Sequence, residues 1–241
     1  WTVAAMAEAM RAQRFGPLPA AVPGLSMDSR TLVRGDAFFA IKGDVRDGHD
    51  FVAAAFKAGA GLAVVAAERR AQMPDGPLLV VPDVLEALRD LARAGRARAR
   101  AAVIGVTGSV GKTSTKEALR LALAAQGETH ASAASYNNHW GVPLSLARCP
   151  AEAKFAVFEI GMNHAGEITP LTKLVRPHVA IVTAVEPVHL EFFPSVEAIA
   201  DAKAEIFLGL EPGGAAVINR DNPHFARLEQ HARRAGARRV V

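Results

Sequence analysis

The segment 103–116, VIGVTGSVGKTSTK, holds two glycines three residues apart, followed at once by Lys112 and Thr113. That combination serves phosphate chemistry. Glycines at 108 and 111 let the backbone approach a phosphate chain, the N–H groups opening a helix point at anionic oxygens, and the lysine adds a mobile cation. Gly108, Ser109, Val110, Gly111, Lys112, Thr113 and Ser114 form the candidate nucleotide loop, with the Thr113 hydroxyl placed for a magnesium ion. A full P-loop asks for glycine five residues before Gly111; Val106 stands there, so the match is to the shorter GxxGKT form.

Other chemistry-bearing residues fall where strands are expected to end. Glu159 is the single charge of an apolar run, 155–160, and a carboxylate at a buried strand end beside a phosphate loop suits magnesium. His189 follows the next apolar run, 179–185, and reads either as a hydrogen-bonded loop histidine or as a ligand. Lys203 shares one face of an expected helix, 195–210, with Val196, Ile199, Ile206, Phe207 and Leu210. Either its stem snorkels to water or its amine is aimed at the phosphate site. The segment 135–144, SYNNHWGVPL, sets Asn137 and Asn138 between aromatic residues ahead of a turn at 141–143, the composition of a polar recognition loop or of an asparagine-stabilised turn. Near the start, SMDSR (26–30) and GDVRDGHDF (43–51) are polar segments in which Arg30 could grip a diphosphate with two donors, although surface turns would explain them equally.

These residues need strands and helices to hold them. Residues 1–82 alternate short apolar strands (37–41, 62–66, 78–81) with a helix near 51–58, a small α/β unit. Pro82 is expected as the first residue of a helix whose Val84, Leu85, Leu88, Leu91 and Ala92 share a face and which bridges to the next domain. Its end, with Arg96, Arg98 and Arg100, reads as a solvated helix terminus. From 101 onward strands at 103–106, 155–160, 179–185 and 215–218 alternate with helices at 112–126, 166–176, 195–210 and 223–235, and 239–241 reads as an opening strand. This pattern predicts a mostly parallel sheet covered on both faces, with ligands beyond the strands' carboxyl ends.

Half of the 241 residues are hydrophobic, which argues against disorder. The single cysteine, Cys149, excludes an internal disulfide or a cysteine metal cluster, and is expected to be a buried thiol in a reducing cytoplasm. A net charge of +4 with dispersed basic residues gives no case for nucleic acid. No apolar run is long enough for a membrane span, and 1–10 lacks the basic start of a signal peptide, so no membrane insertion is expected. A start without methionine and a stop in an opening strand lead us to expect a fragment.

Taken together, SMDSR, GDAFFAIKG, DGHDF, GVTGSVGKTSTKE, NNHWGVPLSL, FEIGMNHAGEI, HLEFF and AKAEIF resemble the Mur ligases of peptidoglycan synthesis over essentially the whole chain. The GMNHAGEI and NNHWGVP runs point to the member that joins D-alanyl-D-alanine to UDP-N-acetylmuramoyl-tripeptide; the neighbouring ligase for the third amino acid and a P-loop phosphotransferase are the alternatives. The resemblance implies an N-terminal UDP-substrate domain, 1–82, and an ATP domain, 83–241, with a third, Rossmann-like domain further on. It also implies that 108–114 hold ATP, that Lys112, Glu159, His189 and Lys203 are catalytic, and that Thr113, Glu159, His189 and a carbamylated Lys203 serve two magnesium ions. Ser29 and Arg30 become the candidates for UDP, Asn137 and Asn138 for further substrate contacts, in a cytoplasmic monomer. A GTPase switch is disfavoured by the lack of an NKxD run, and a mere UDP-sugar binder has no use for all four catalytic residues.

Overall fold

The computed structural model describes residues 1–133, 136–188 and 190–241. They divide into two compact units, Trp1–Ala94 and Gly95–Val241. The first contains α1 (Val3–Ala9), β1 (Gln13–Phe15), β2 (Leu25–Ser26), β3 (Ala37–Phe39), α2 (Val52–Lys57), β4 (Leu62–Ala66), β5 (Leu78–Val81) and most of α3 (Val84–Arg98). Its sheet runs β1-β5-β4-β3-β2, parallel except where β1 meets β5. Every residue of β3, β4 and β5 is buried. Phe38, Val65, Leu78 and Val80 share a core with Val52 and Ala55 of α2.

The second unit contains β6 (Ala102–Thr107), α4 (Lys112–Ala124), β7 (Thr129–Ala131), α5 (Gly141–Ala147), β8 (Phe155–Glu159), α6 (Ile168–Val175), β9 (Val179–Val182), α7 (Val196–Ala204), β10 (Ala215–Ile218), α8 (Phe225–Arg234) and β11 (Arg239–Val240). The sheet, wholly parallel, has the order β11-β10-β9-β6-β8-β7. β6, which leads into the glycine loop, therefore lies between the strands that end at Glu159 and Val182. On one face Ile104 and Val106 pack with Val157 beneath Leu119 and Leu123 of α4. On the other, a methyl group built on Gly105 would meet Ile206 and Pro177 at 3.5 Å. β6 starts on an exchange with one histidine: the Val103 N–H donates to His178 Nδ1 (2.9 Å) and the His178 N–H to the Val103 carbonyl (2.8 Å).

Several expectations need correction. Pro82 is outside its helix: Asp83 caps α3, accepting from the Glu86 N–H at 2.7 Å. Arg96 is not solvated. It is 6% exposed and donates to the carbonyls of Val175 (2.8 Å) and Arg176 (2.9 Å), closing the end of α6, with Glu211 at 3.4 Å. The stretch expected as one helix at 195–210 is α7 followed by a 3₁₀ turn, Glu205–Gly209. The Thr172 hydroxyl takes the Ile206 carbonyl at 2.7 Å, and the Leu210 N–H turns to Phe207 instead. Residues 141–143 open α5, all of it buried, rather than forming a turn; a proline in a helix's first turn forfeits no bond. β9 ends at Val182, three residues short, because the residues after it leave the ladder to brace the glycine loop.

Candidate active site

The glycine loop is held from the β9 side. The Thr183 N–H and hydroxyl donate to the carbonyls of Thr107 (3.0 Å) and Val110 (2.6 Å), and the Ser109 N–H donates to the Ala184 carbonyl at 2.8 Å. Ser109 Oγ donates to the Glu186 carbonyl (3.1 Å) and accepts from the Glu186 N–H (2.9 Å). This bracing leaves no room for a side chain at Gly108, where φ is +152° and an added methyl would sit 1.9 Å from Thr183 Oγ1. Gly111, at φ +81°, starts α4 without a side-chain cap, so the first amides of that helix face the loop mouth. Lys112 bends back over the same mouth, its Nζ donating to the carbonyls of Gly108 (2.8 Å) and Ser109 (3.3 Å). Burial lowers its pKa from the usual lysine value, with Glu159 pulling the other way.

Glu159 closes the α4 side. It is 1% exposed; Oε2 accepts from the Thr113 hydroxyl at 2.9 Å, and Oε1 from Asn137 Nδ2 at 2.8 Å. Lys116, which the sequence reading passed over, is buried beside it: its Nζ donates to the Ser132 carbonyl at 2.9 Å and lies 3.2 Å from Glu117 and 3.9 Å from Glu159 Oε2. A signal was available, since Lys116, Leu119 and Leu123 fall on one helical face. Asn138 plays a local part, its side-chain oxygen accepting from the N–H groups of Trp140 (3.1 Å) and Gly141 (2.8 Å) to start α5.

Lys203 lies on the other side of the loop. It is 2% exposed as a whole residue, and no hydrogen bond or ion pair holds its amine among the described residues; its Nζ is not among the buried atoms left without a partner, so the stem is covered while the amine keeps a contact with water. Burial, reinforced by the charge of Lys112, pushes its pKa down to about 7. His189 lies outside the described residues, as does Ser135. In the first unit, Arg30 is 81% exposed and grips Asp28 through Nε (2.9 Å) and Nη2 (2.7 Å), which holds the Asp28 carboxyl down to about 2. Ser29 adjoins it in the same loop. Cys149 is the buried thiol expected, pushed up to about 11 by burial.

A magnesium ion fits this donor set in one particular manner. Among the described residues no three His, Cys, Asp or Glu side chains come together as a metal cluster. The Thr113 hydroxyl and one Glu159 carboxylate oxygen, 2.9 Å apart, offer two hard oxygens. That is the usual protein share at a site completed by phosphate oxygens and water.

A Mur ligase middle domain matches residues 106–241, and a second model, the Mur ligase family catalytic domain, matches 21–96. The chain belongs to the Mur ligase family. It is 38% identical over 204 residues to the UDP-N-acetylmuramoyl-tripeptide--D-alanyl-D-alanine ligase of Rickettsia prowazekii, covering 85% of this chain and 45% of that one. The chain thus spans about half the length of the relatives it matches. A crystal structure of MurF from Acinetobacter baumannii superposes with a TM-score of 0.85 at 34% identity, covering 97% of this chain and 52% of the other. The MurF ligase of Thermotoga maritima in complex with ADP does so with 0.74 at 31%, covering 90% and 49%. Among the described residues, no helix is long and apolar enough to cross a membrane.

Proposed function

We propose that this chain is the part of an ATP-dependent ligase that takes ATP and the UDP-linked substrate, in an enzyme joining D-alanyl-D-alanine to UDP-N-acetylmuramoyl-tripeptide during cytoplasmic peptidoglycan precursor synthesis. The observation that carries this reading is the braced GxxGKT loop with Thr113 bonded to a buried Glu159, in a chain 38% identical to a ligase of that name. Residues 83–241 are assigned to ATP and 1–82 to the UDP moiety. Ser29 and Arg30 are the candidates for its diphosphate, because Asp28 occupies only Nε and Nη2 of the guanidinium.

The chemistry joins a carboxylate to an amine. A tripeptide carboxylate oxygen bonds to the γ-phosphorus as the bond to the ADP oxygen breaks, giving an acyl phosphate. The amine of D-alanyl-D-alanine then attacks the acyl carbon, phosphate leaves and the amine proton is lost. Two anions must meet in the first step, which calls for fixed positive charge and donors. Lys112 and the first amides of α4 supply these at the loop mouth. Bound magnesium would add Lewis-acid neutralisation of the phosphate oxygens, held by Thr113 and Glu159. Asn137 and Lys116 keep that carboxylate in place.

Lys203 is assigned a carbamate, and, with His189, a second magnesium. The support is burial without a partner and a pKa near 7, which leaves much of the amine neutral and nucleophilic. The amine nitrogen bonds to the carbon of CO2, one C–O π bond becomes the carbamate anion, and a proton goes to solvent. A hard oxygen anion then replaces a cation that would repel the metal.

Calorimetry of the chain with ATP and GTP in magnesium tests the nucleotide half; preference for GTP, or no binding of either, overturns it. Phosphate release from ATP, tested on the full-length enzyme, should require both UDP-N-acetylmuramoyl-tripeptide and D-alanyl-D-alanine. Turnover with a single amino acid in place of the dipeptide would reassign the substrate.

A further inference from the structure

The two oxygens of Glu159 are held by different elements. Oε2 faces α4, where Thr113 and Lys116, one turn apart, bring a hydroxyl to 2.9 Å and an ammonium to 3.9 Å. Oε1 faces the segment ahead of α5 and accepts from Asn137 Nδ2 at 2.8 Å. An ionised carboxylate only accepts, so the amide nitrogen of Asn137, not its oxygen, must point at Oε1. Asn137 is itself fixed by the residues that follow β8. Its carbonyl accepts from the Gly161 N–H at 2.8 Å, and a methyl built on Gly161 would stand 3.0 Å from Asn137 Cγ and Oδ1. The amide thus packs against a backbone position that glycine leaves open.

This division decides which cation the carboxylate suits. An ion bound by Thr113 and Glu159 finds Oε2 beside the hydroxyl. It can draw on Oε1 as well only by weakening a hydrogen bond to a charged acceptor, in a residue 1% exposed. Magnesium has no use for that second oxygen, because its small octahedron, with oxygens at about 2.1 Å, is completed by phosphate and water. Calcium gathers roughly six to eight oxygens at about 2.4 Å and often takes both from one carboxylate. The Asn137 bond therefore costs calcium and not magnesium.

We propose that Asn137 is the specificity-determining residue for the metal at the phosphate loop: by holding Glu159 Oε1 it leaves the ion a single carboxylate oxygen and selects magnesium over calcium. This rests on the magnesium reading above and adds to it the residue that sets the choice of ion.

The test is calorimetry of ADP binding to the chain in magnesium or in calcium, read as the ratio of the two affinities. The affinity of free ADP for each ion cancels when variants are compared. Wild type should bind ADP more tightly in magnesium, and the reverse order overturns the proposal. Asn137→Ala should lower the magnesium preference about tenfold, the worth of a hydrogen bond to a charged acceptor. Gly161→Ala keeps both Asn137 and Glu159 but presses on the amide, and should move the ratio the same way by a smaller factor. Equal weakening in both cations, or no change in either, leaves the ratio where it was, makes Asn137 a packing residue and overturns the proposal. If wild type binds ADP as well in EDTA as in magnesium, the metal reading falls and the proposal with it, while the nucleotide reading stands. No ADP binding in any buffer overturns the nucleotide reading and the proposal together.

Discussion

The two sides of the glycine loop are built on opposite terms. Toward α4, the buried ionic groups are satisfied: Glu159 accepts from Thr113 and Asn137, and Lys116 reaches Ser132, Glu117 and Glu159. Toward α7, the Thr107 hydroxyl is buried with no partner among the described residues, and Lys203, 2% exposed, faces no carboxylate among them. A satisfied network fixes a single arrangement, whereas unsatisfied donors raise the energy of the resting state and favour whatever binds them. The α4 side is a finished network, and the α7 side holds a buried hydroxyl and a lysine without a carboxylate to balance it.

Substitutions can break this contrast. The largest effect is expected at the mouth shared by both sides: Lys112→Ala should weaken ATP binding by about 100-fold, close to 3 kcal/mol, by calorimetry. On the satisfied side, Glu159→Ala leaves Lys116 buried with a carboxylate fewer and should cost about 3 kcal/mol in urea unfolding. On the unsatisfied side the sign reverses, and Lys203→Met in bicarbonate-free buffer should gain about 1–2 kcal/mol at pH 7.

That gain is pH-dependent. Folded Lys203 loses its proton near 7 and unfolded Lys203 near 10.5, so between these values the unfolded chain binds the extra proton and wild-type stability rises with pH. The advantage of the methionine variant should therefore be largest at and below pH 7 and shrink toward about 10.5; a gain independent of pH would mean that Lys203 is not the source. The smallest effect is expected of Thr107→Val, within about 0.5 kcal/mol of wild type or slightly more stable, since a hydroxyl that bonds nothing loses nothing. A cost well above that in the bicarbonate-free protein would reveal a partner and erase the contrast.

The satisfied side was only half legible in the sequence. The loop, Thr113 and the strand-end Glu159 follow from local motif and hydrophobic period, as do β4, β5 and β10, whose short apolar runs match the expected spans. Arg96 defeated the reading because its acceptors, Val175 and Arg176, lie 79 and 80 residues away and are backbone carbonyls, which carry no residue signature. α5 was hidden by Gly141 and Pro143, turn formers by local preference that tertiary burial overrides. β7 is a three-residue edge strand, too short for any period to show. Lys203 was visible as a polar break in an apolar stripe, but Thr107 was not. A threonine ahead of a glycine loop looks like any strand end until the sheet register shows which way it points.

The histidine that opens β6 gives this strand a chemical clock. The Val103 amide is held by an imidazole nitrogen, not by a peptide oxygen, and that acceptor vanishes when the ring takes a second proton. Burial and the charge of Arg96 lower the His178 pKa from its ordinary 6.5, so the bond survives mild acidity and is lost as the pH falls further. Amide hydrogen exchange should register this as a local event: below that point Val103 should lose protection relative to neighbours on peptide carbonyls, and His178→Asn should reduce the pH dependence. The first peptide of the strand that carries the phosphate loop thus responds to acidity before the sheet around it does.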